Sequence, residues 1–417
     1  MELKPPGDWK VEPLGKFFRE RREQASDSEY EPLSVSMAGV VPRMDNVAIS
    51  FNGENRKLVR KDDFVINSRS DRKGSAGVAD RDGSVSLISI VLEPCGIEPR
   101  FVHHLLRSTW FQEEFYRWGS GIVDDLWSTR FQAMKRIGLP IPPVEQQRRI
   151  ADYLDRETAT IDALIEKQRG LVAGLRRRRA TAIVAATSGM QTKGDRGESS
   201  SAWLKDIPAH WSELPAKRIL TDVQSGYWGA DEVGDGTDVR VVRVADFDRP
   251  TLSVGTAPTI RSVTQSERAK AALRRGDLLM EKSGGTGINP VGFVVSYESD
   301  EESIFANFIV RLRIATGQHQ RFWLYALNGA YTSGLTWKSV NQTTGIQNLD
   351  MVSFLSEVFP VPPLEEQREI ADHLDRETAK IDALIAKAER FIELAQERRA
   401  ALITAAVTGQ IEIPTED

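Results

Sequence analysis

Two short stretches carry side chains suited to reading another molecule by hydrogen bonds. The first is DFVINSRSDRKGS, which offers Asn67, Ser68, Arg69, Ser70, Arg72 and Lys73 just after an apolar, strand-like run. Arginine pairs with guanine edges, asparagine and glutamine pair with adenine, and lysine and serine suit mixed targets. Cations in the same loop can hold phosphates and fix register. The second set is spread over three strings. It comprises Ser225, Tyr227 and Trp228 in QSGYWG, Lys282 and Ser283 in EKSGG, and Lys338, Asn341 and Gln342 in WKSVNQTTG. An ordinary solvated turn is the bland reading of the first stretch, and Tyr227 and Trp228 also suit a core.

Catalytic chemistry has little support. No G-x-x-x-x-G-K-[ST] phosphate loop is present, and KSGGTGINPVG lacks Lys-Ser or Lys-Thr at the right spacing. NPVG at 289–292 reads as a turn, and no paired acidic nuclease cluster stands out. His103 and His104 are adjacent, so on a helix they diverge. With 5 His and 1 Cys, no metal site is expected. Cys95 reads as a small core residue, since it has no disulfide partner in the chain.

The elements that must position these loops are dominated by a repeat. Residues 140–189 align without gaps on 360–409, with 28 of 50 positions identical. Each copy reads as a long helix. Pro142 and Pro143, or Pro362 and Pro363, precede it. Glu145, or Glu365 and Glu366, then suits the positive end of the helix dipole. Apolar residues recur in heptad-like steps: Ile150, Leu154, Ile161, Leu164, Leu171 and Leu175, then Ile370, Leu374, Ile381, Leu384, Phe391 and Leu402. Gly189 and Gly409 mark the stops. About 38 residues of helix would span about 57 Å. The simplest way to bury such a seam is an antiparallel pair of the two copies. Packing of each helix on its own domain is the alternative. RRRR at 176–179 reads as a solvated face or a contact with an acidic partner.

Between the helices lie two segments of one-domain size. Each opens near a tryptophan with Pro-containing, then helix-like text, at 8–20 and 210–222. Each continues with basic residues, an Asp and an apolar run, at 58–75 and 273–287. Alternating strands (VSLISIVL, SIFANFIVRLRI) and an aromatic helical stretch follow. The expected fold is mixed α+β: two α/β domains separated by two long antiparallel coiled-coil helices. The boundaries are 1–139 first domain, 140–189 central helical spacer, 190–209 linker, 210–359 second domain, 360–409 C-terminal helical spacer and 410–417 tail. Net charge is -5, which neither requires nor excludes a nucleic-acid partner, because 55–73 alone holds seven basic and three acidic side chains. No run of 18 apolar residues and no secretory leader are seen, so a cytoplasmic protein is expected.

The pattern PPxxEQ…I…LD…ID.LI occurs at 362–385 and, with Gln146 in place of the Glu, at 142–165, one copy after each variable segment. This resembles the specificity subunit of Type I restriction-modification systems, over essentially the whole chain. RKDDFVINSRSDRKGS, GIVDDLWSTRF, VRVVRVADFD and GIQNLD resemble target-recognition-domain text of that family. The resemblance implies a non-catalytic reader in which two target recognition domains each take half of a bipartite, asymmetric double-stranded DNA site. It implies that the paired helices set the half-site spacing and dock methyltransferase subunits, two in number, with restriction subunits completing the complex. S-adenosylmethionine, ATP and Mg would then sit on those partners, and the assembled complex would be a site-specific deoxyribonuclease and adenine methyltransferase. A strut of about 57 Å corresponds to about 17 base pairs at roughly 3.4 Å per pair, which bounds the spacing. A coiled-coil scaffold without DNA specificity and a self-contained DNA-modifying enzyme are the competing readings.

Overall fold

The structure is a computed structural model, and it describes residues 5–43, 55–69, 72–121, 127–285, 289–343 and 345–414. The chain divides into two compact units. One comprises Met1–Arg169 with Glu389–Asp417, and the other Gly170–Ala388. Each unit therefore takes part of each long helix.

The helices are Val144–Thr187 and Leu364–Val407, 44 residues each and longer than the sequence expectation. Both begin directly after the proline pair. The repeated glutamine explains why the start is so well defined. Gln147 donates its amide N–H to Pro142 O and accepts from Glu98 N, both at 2.9 Å. Gln367 does the same with Pro362 O at 2.9 Å and His319 N at 2.8 Å. Each amide is buried, so both of its bonds are needed to offset desolvation. At the far ends, Gly189 and Gly409 adopt φ +71° and close the helix with backbone bonds back to residues 185–186 and 405–406. A Cβ at Gly189 would strike Pro208 and Trp211, and one at Gly409 would strike Pro6 and come close to Trp9. The repeat thus includes the P-x-x-W text that each helix end packs against.

The buried line of the helices keeps only part of the expected seam. Leu164, Leu171, Leu384 and Phe391 are 42, 49, 51 and 41% exposed and belong to the outer face. Ile161, Leu175 and Ile381 are buried as expected, and the residues buried beside them are Thr158, Ile165 and Val172 on the first helix, and Thr378 and Ala388 on the second. From Thr158 the first-helix series follows heptad positions in steps of three, four, seven and three, with half-buried Gln168 at the skipped position. The threonines hide the phase in sequence. Their hydroxyls bond to Leu154 O at 2.6 Å and Leu374 O at 2.7 Å, which frees the methyl groups to face inward. Ile150 and Leu154 are buried in the core of the first unit, and Leu374, with Ile370 at its edge, packs in the core of the second. These four pack on a domain, the alternative weighed for the whole helix.

Both domains share one plan. An opening strand pairs antiparallel with the strand that leads into the long helix: Lys10–Pro13 with Gly138–Ile141, and Ser212–Pro215 with Val358–Val361. The helix-like opening text contains only a 3-10 turn, Leu14–Lys16 or Ala216–Arg218, because each follows a proline and leads at once into a strand. The central pair is Phe64–Asn67 against Ser89–Pro94, and Leu278–Glu281 against Ile309–Ile314. In each, an Asp accepts from the backbone N–H three residues back and from a distant arginine. These are Asp63 with Arg60 and Arg21, and Asp277 with Arg274 and Arg313. Helices then cover the sheet. The first domain uses two, Pro99–Leu105 and Thr109–Arg117, broken where Ser108 caps the second. At the matching place the second domain has one unbroken helix, Gln320–Thr332. Cys95 is half-buried, not core, because it follows Pro94 at a strand end. Among the described residues no helix is long and apolar enough to cross a membrane.

Candidate nucleic-acid interface

In the first unit the loop after Phe64–Asn67 gathers four of its expected residues. Asn67, Ser68, Arg69 and Lys73 line one cavity with Tyr116 and Trp127. The cavity is about 20 Å³, room for a water and too small for a base. The loop is held from beneath. Ser68 donates its hydroxyl to Ile88 O at 2.6 Å, and Asn67 Oδ1 accepts from Arg69 N at 3.0 Å. Those bonds occupy Ser68 and one side of Asn67. The Arg69 guanidinium meets no carboxylate among the described residues, so it can serve an outside acceptor. Lys73 lies 2.6 Å from Glu113 and 5.4 Å above the Tyr116 ring. Both partners of that ion pair are exposed, so it is a weak restraint. Arg72 sits in the turn beside the cavity, and Ser70 lies outside the described residues.

Tyr116 and Trp127 were not singled out from sequence. Their rings lie 5.8 Å apart with an interplanar angle of 31°, and Trp127 Nε1 donates to Tyr116 O at 3.0 Å. Aromatic text at 115–118 was visible, but its meeting with a loop about 45 residues upstream was not.

In the second unit the candidates divide. Ser225 ends a strand, and Lys282 Nζ approaches its hydroxyl at 3.5 Å. Ser283 is buried and donates to Asn348 Oδ1 at 2.6 Å, so it supports the loop and does not face outward. Asn348 in turn pairs across strands with Asn341, and Gln347 with Gln342. Trp228 is half-exposed beneath the Arg261 guanidinium at 4.3 Å, while Tyr227 packs partly on the core. Lys338 is turned away from this group and donates to Ala202 O at 3.0 Å.

Two buried residues under this surface carried no sequence signal. Glu281 lies 2.7 Å from Arg249 and accepts from Gly285 N at 3.3 Å. Burial raises its carboxyl above the usual range, against the pull of Arg249. Gln347 Oε1 accepts from Val291 N at 3.3 Å. Together they anchor the glycine-rich loop that begins at Lys282.

RRRR at 176–179 is mostly solvated, but Arg179 donates to Pro250 O at 2.7 Å and lies 3.0 Å from Asp382. Among the described residues no group of three His, Cys, Asp or Glu could hold a metal ion.

Each domain therefore presents a polar loop surface on the same strand pair, with different side chains at matching places. Residues 254–393 match the model of the Type I restriction modification DNA specificity domain. The chain is 25% identical over 292 residues to the Type I restriction enzyme StySPI specificity subunit of Salmonella potsdam, covering 69% of this chain and 60% of that protein. It is 22% identical over 260 residues to the EcoBI specificity subunit of Escherichia coli, covering 59% and 52%. The matches thus span less than two thirds of either relative. Its fold is similar to the HsdS subunit from Thermoanaerobacter tengcongensis, with TM-score 0.53 at 18% identity over 98% of both chains. A solved chain from a study of complex assembly and conformational transition of the type I R-M system gives TM-score 0.67 at 18% identity, covering 98% of this chain and 100% of that one. By sequence the chain is similar to specificity subunits of Type I restriction-modification systems, and by fold to a solved HsdS subunit.

Proposed function

We propose that this chain is the sequence-reading subunit of a Type I restriction-modification complex, taking a split, asymmetric DNA site with one half-site for each domain. The observation that carries this reading is the repeated clasp. In both halves the same glutamine, aspartate and glycine positions hold a domain of the same plan, while the loops on that plan differ. A repeated scaffold with unlike loops suits two unlike half-sites at a set separation. Residues 1–139 and 210–359 are the two readers, and 140–189 and 360–409 the spacers. Asn67, Arg69, Arg72 and Lys73 serve the first reader, and Ser225, Trp228, Lys282 and Asn341 the second.

The two long helices pair antiparallel in this reading. In the first unit Arg399 lies 2.9 Å from Asp162, and in the second Arg179 lies 3.0 Å from Asp382. Each ion pair joins the two helices, and they share one antiparallel register. The exposed Leu164 and Leu384, and likewise Leu171 and Phe391, are equivalent repeat positions. Exposed apolar residues on both helices suit docking of two like partner chains. Those partners are two methyltransferase subunits, joined by restriction subunits, and they carry S-adenosylmethionine, ATP and Mg. This chain supplies recognition and no reacting group.

Selection from a randomised duplex DNA pool, using the protein with the partner chains that copurify with it, tests the reading. The expected product is two short motifs with a fixed non-specific gap. Failure to enrich any sequence with a partner present would turn the assignment towards a scaffold.

A further inference from the structure

Arg107 closes the short segment between the two covering helices of the first domain. With Arg399 and the start of the helix Thr109–Arg117 it lines a cavity of about 240 Å³. Its guanidinium donates to His103 Nε2 at 2.7 Å and Met37 O at 2.6 Å. Neither partner neutralises it. Burial, then the neighbouring Arg107 charge, pushes His103 down to about 3, so the ring is uncharged and acts as an acceptor. Arg399 Nε lies 2.9 Å from Asp162 Oδ1, but its N–H is not directed at that oxygen and is buried without an acceptor. Two cations and the positive end of a nine-residue helix thus converge on one cavity, with two exposed carboxylates near it, Asp162 beside Arg399 and Asp155 bonded to His104.

The second domain shows that the fold does not need this charge. His104 bonds to Asp155, and Tyr325 bonds to the repeat-equivalent Asp375. Three residues further on stand Arg107 and Asn328. Asn328 is buried and fully occupied: it donates to Val294 O and Leu324 O at 2.9 Å and accepts from Val294 N at 3.3 Å. Arg179, the repeat-equivalent of Arg399, is likewise satisfied by Pro250 O and Asp382. A neutral amide fills the position in one domain, while in the other a half-buried guanidinium bonds to His103 and Met37 O and meets no carboxylate among the described residues. A partly desolvated cation without a counter-charge is stabilised when an anion joins it.

The cavity shares Gly74 and Gln112 with the smaller one lined by Asn67, Ser68, Arg69 and Lys73. An anion seated there would lie beside the recognition loop. We propose that Arg107 and Arg399 clamp one backbone phosphate of the DNA bound by the first domain. This rests on the DNA-reader assignment and adds a contact that sets register without reading sequence.

The test is fluorescence anisotropy across a salt series, with the full chain and its copurifying partners, on the selected duplex and a scrambled one. Arg107→Gln and Arg399→Gln should each weaken both duplexes by the same factor, roughly tenfold. Each should make the slope of log K against log salt shallower by about one, and leave the selected motif unchanged. Arg107→Lys should restore part of the slope. If Arg107→Gln does not fold, Arg399→Gln carries the same expectation. An unchanged slope with the motif intact overturns the clamp. Loss of the first half-motif alone also overturns it, because the residue would then act through base reading. If the wild-type protein selects no motif at all, the reader assignment falls and the clamp falls with it.

Discussion

His103 shows how a residue's role is set by what surrounds it. Its sequence neighbours offered no reason to expect a neutral ring, yet burial, Arg107, His104 and Arg399 all disfavour its protonation, and only Asp155 opposes them. His104 is also lowered, first by burial, with Asp155 pulling the other way. An unfolded histidine titrates near 6.5, whereas folded His103 titrates near about 3. Between those values the unfolded chain binds the extra proton, so stability is full above about pH 6.5 and declines as pH falls towards 3. His103→Gln keeps an acceptor for Arg107 and removes that titration. Urea midpoints at pH 7 and pH 5 should therefore fall less in the variant than in the wild type. An equal fall in both would place the acid sensitivity elsewhere. The polar and cationic character of the loop around Asn67, Arg69 and Lys73 was legible in the sequence, because loops of Asn, Ser, Arg and Lys announce their chemistry. Arg107 and Trp127 were not, since their meaning depends on chain segments folded against them from far away.

At the scale of the element, the long helices separate what periodicity reveals from what it conceals. Their existence was plain from the repeat and the flanking prolines and glycines. Their buried phase was not, because threonine occupies a seam position while leucine sits outside. The physical difference between adjacent residues is testable. Leu164→Gln removes an exposed side chain and should change stability by no more than about 0.5 kcal/mol. Ile165→Gln puts an amide into the buried line and should cost about 2–4 kcal/mol. Denaturant unfolding of both variants checks this, and comparable losses would restore the seam read from sequence. The openings of the two domains show another limit. Lys10–Pro13 and Ser212–Pro215 are strands because partners well over a hundred residues away complete their hydrogen bonds, which local text could not indicate.

At the scale of the whole molecule, each compact unit is assembled from segments that the linear order does not suggest, since Glu389–Asp417 belongs with Met1–Arg169. The repeat makes this possible, because either helix supplies the same docking positions at its start and at its end. If the paired helices set the separation of the two readers, their length is a quantity that can be changed. Seven residues inserted after Leu171 and seven after Phe391 fall between the parts of each helix buried in the domain cores. Seven residues keep the heptad phase and add about 10.5 Å, close to three base pairs. Repeating the duplex selection should return the same two half-motifs with the gap longer by about three pairs. Five-residue insertions rotate the seam out of phase and should lose cooperative melting. An unchanged gap in the seven-residue variant would show that something other than helix length sets the spacing. Loss of both half-motifs with the fold intact would show that the helices take part in reading each half and do not simply hold them apart.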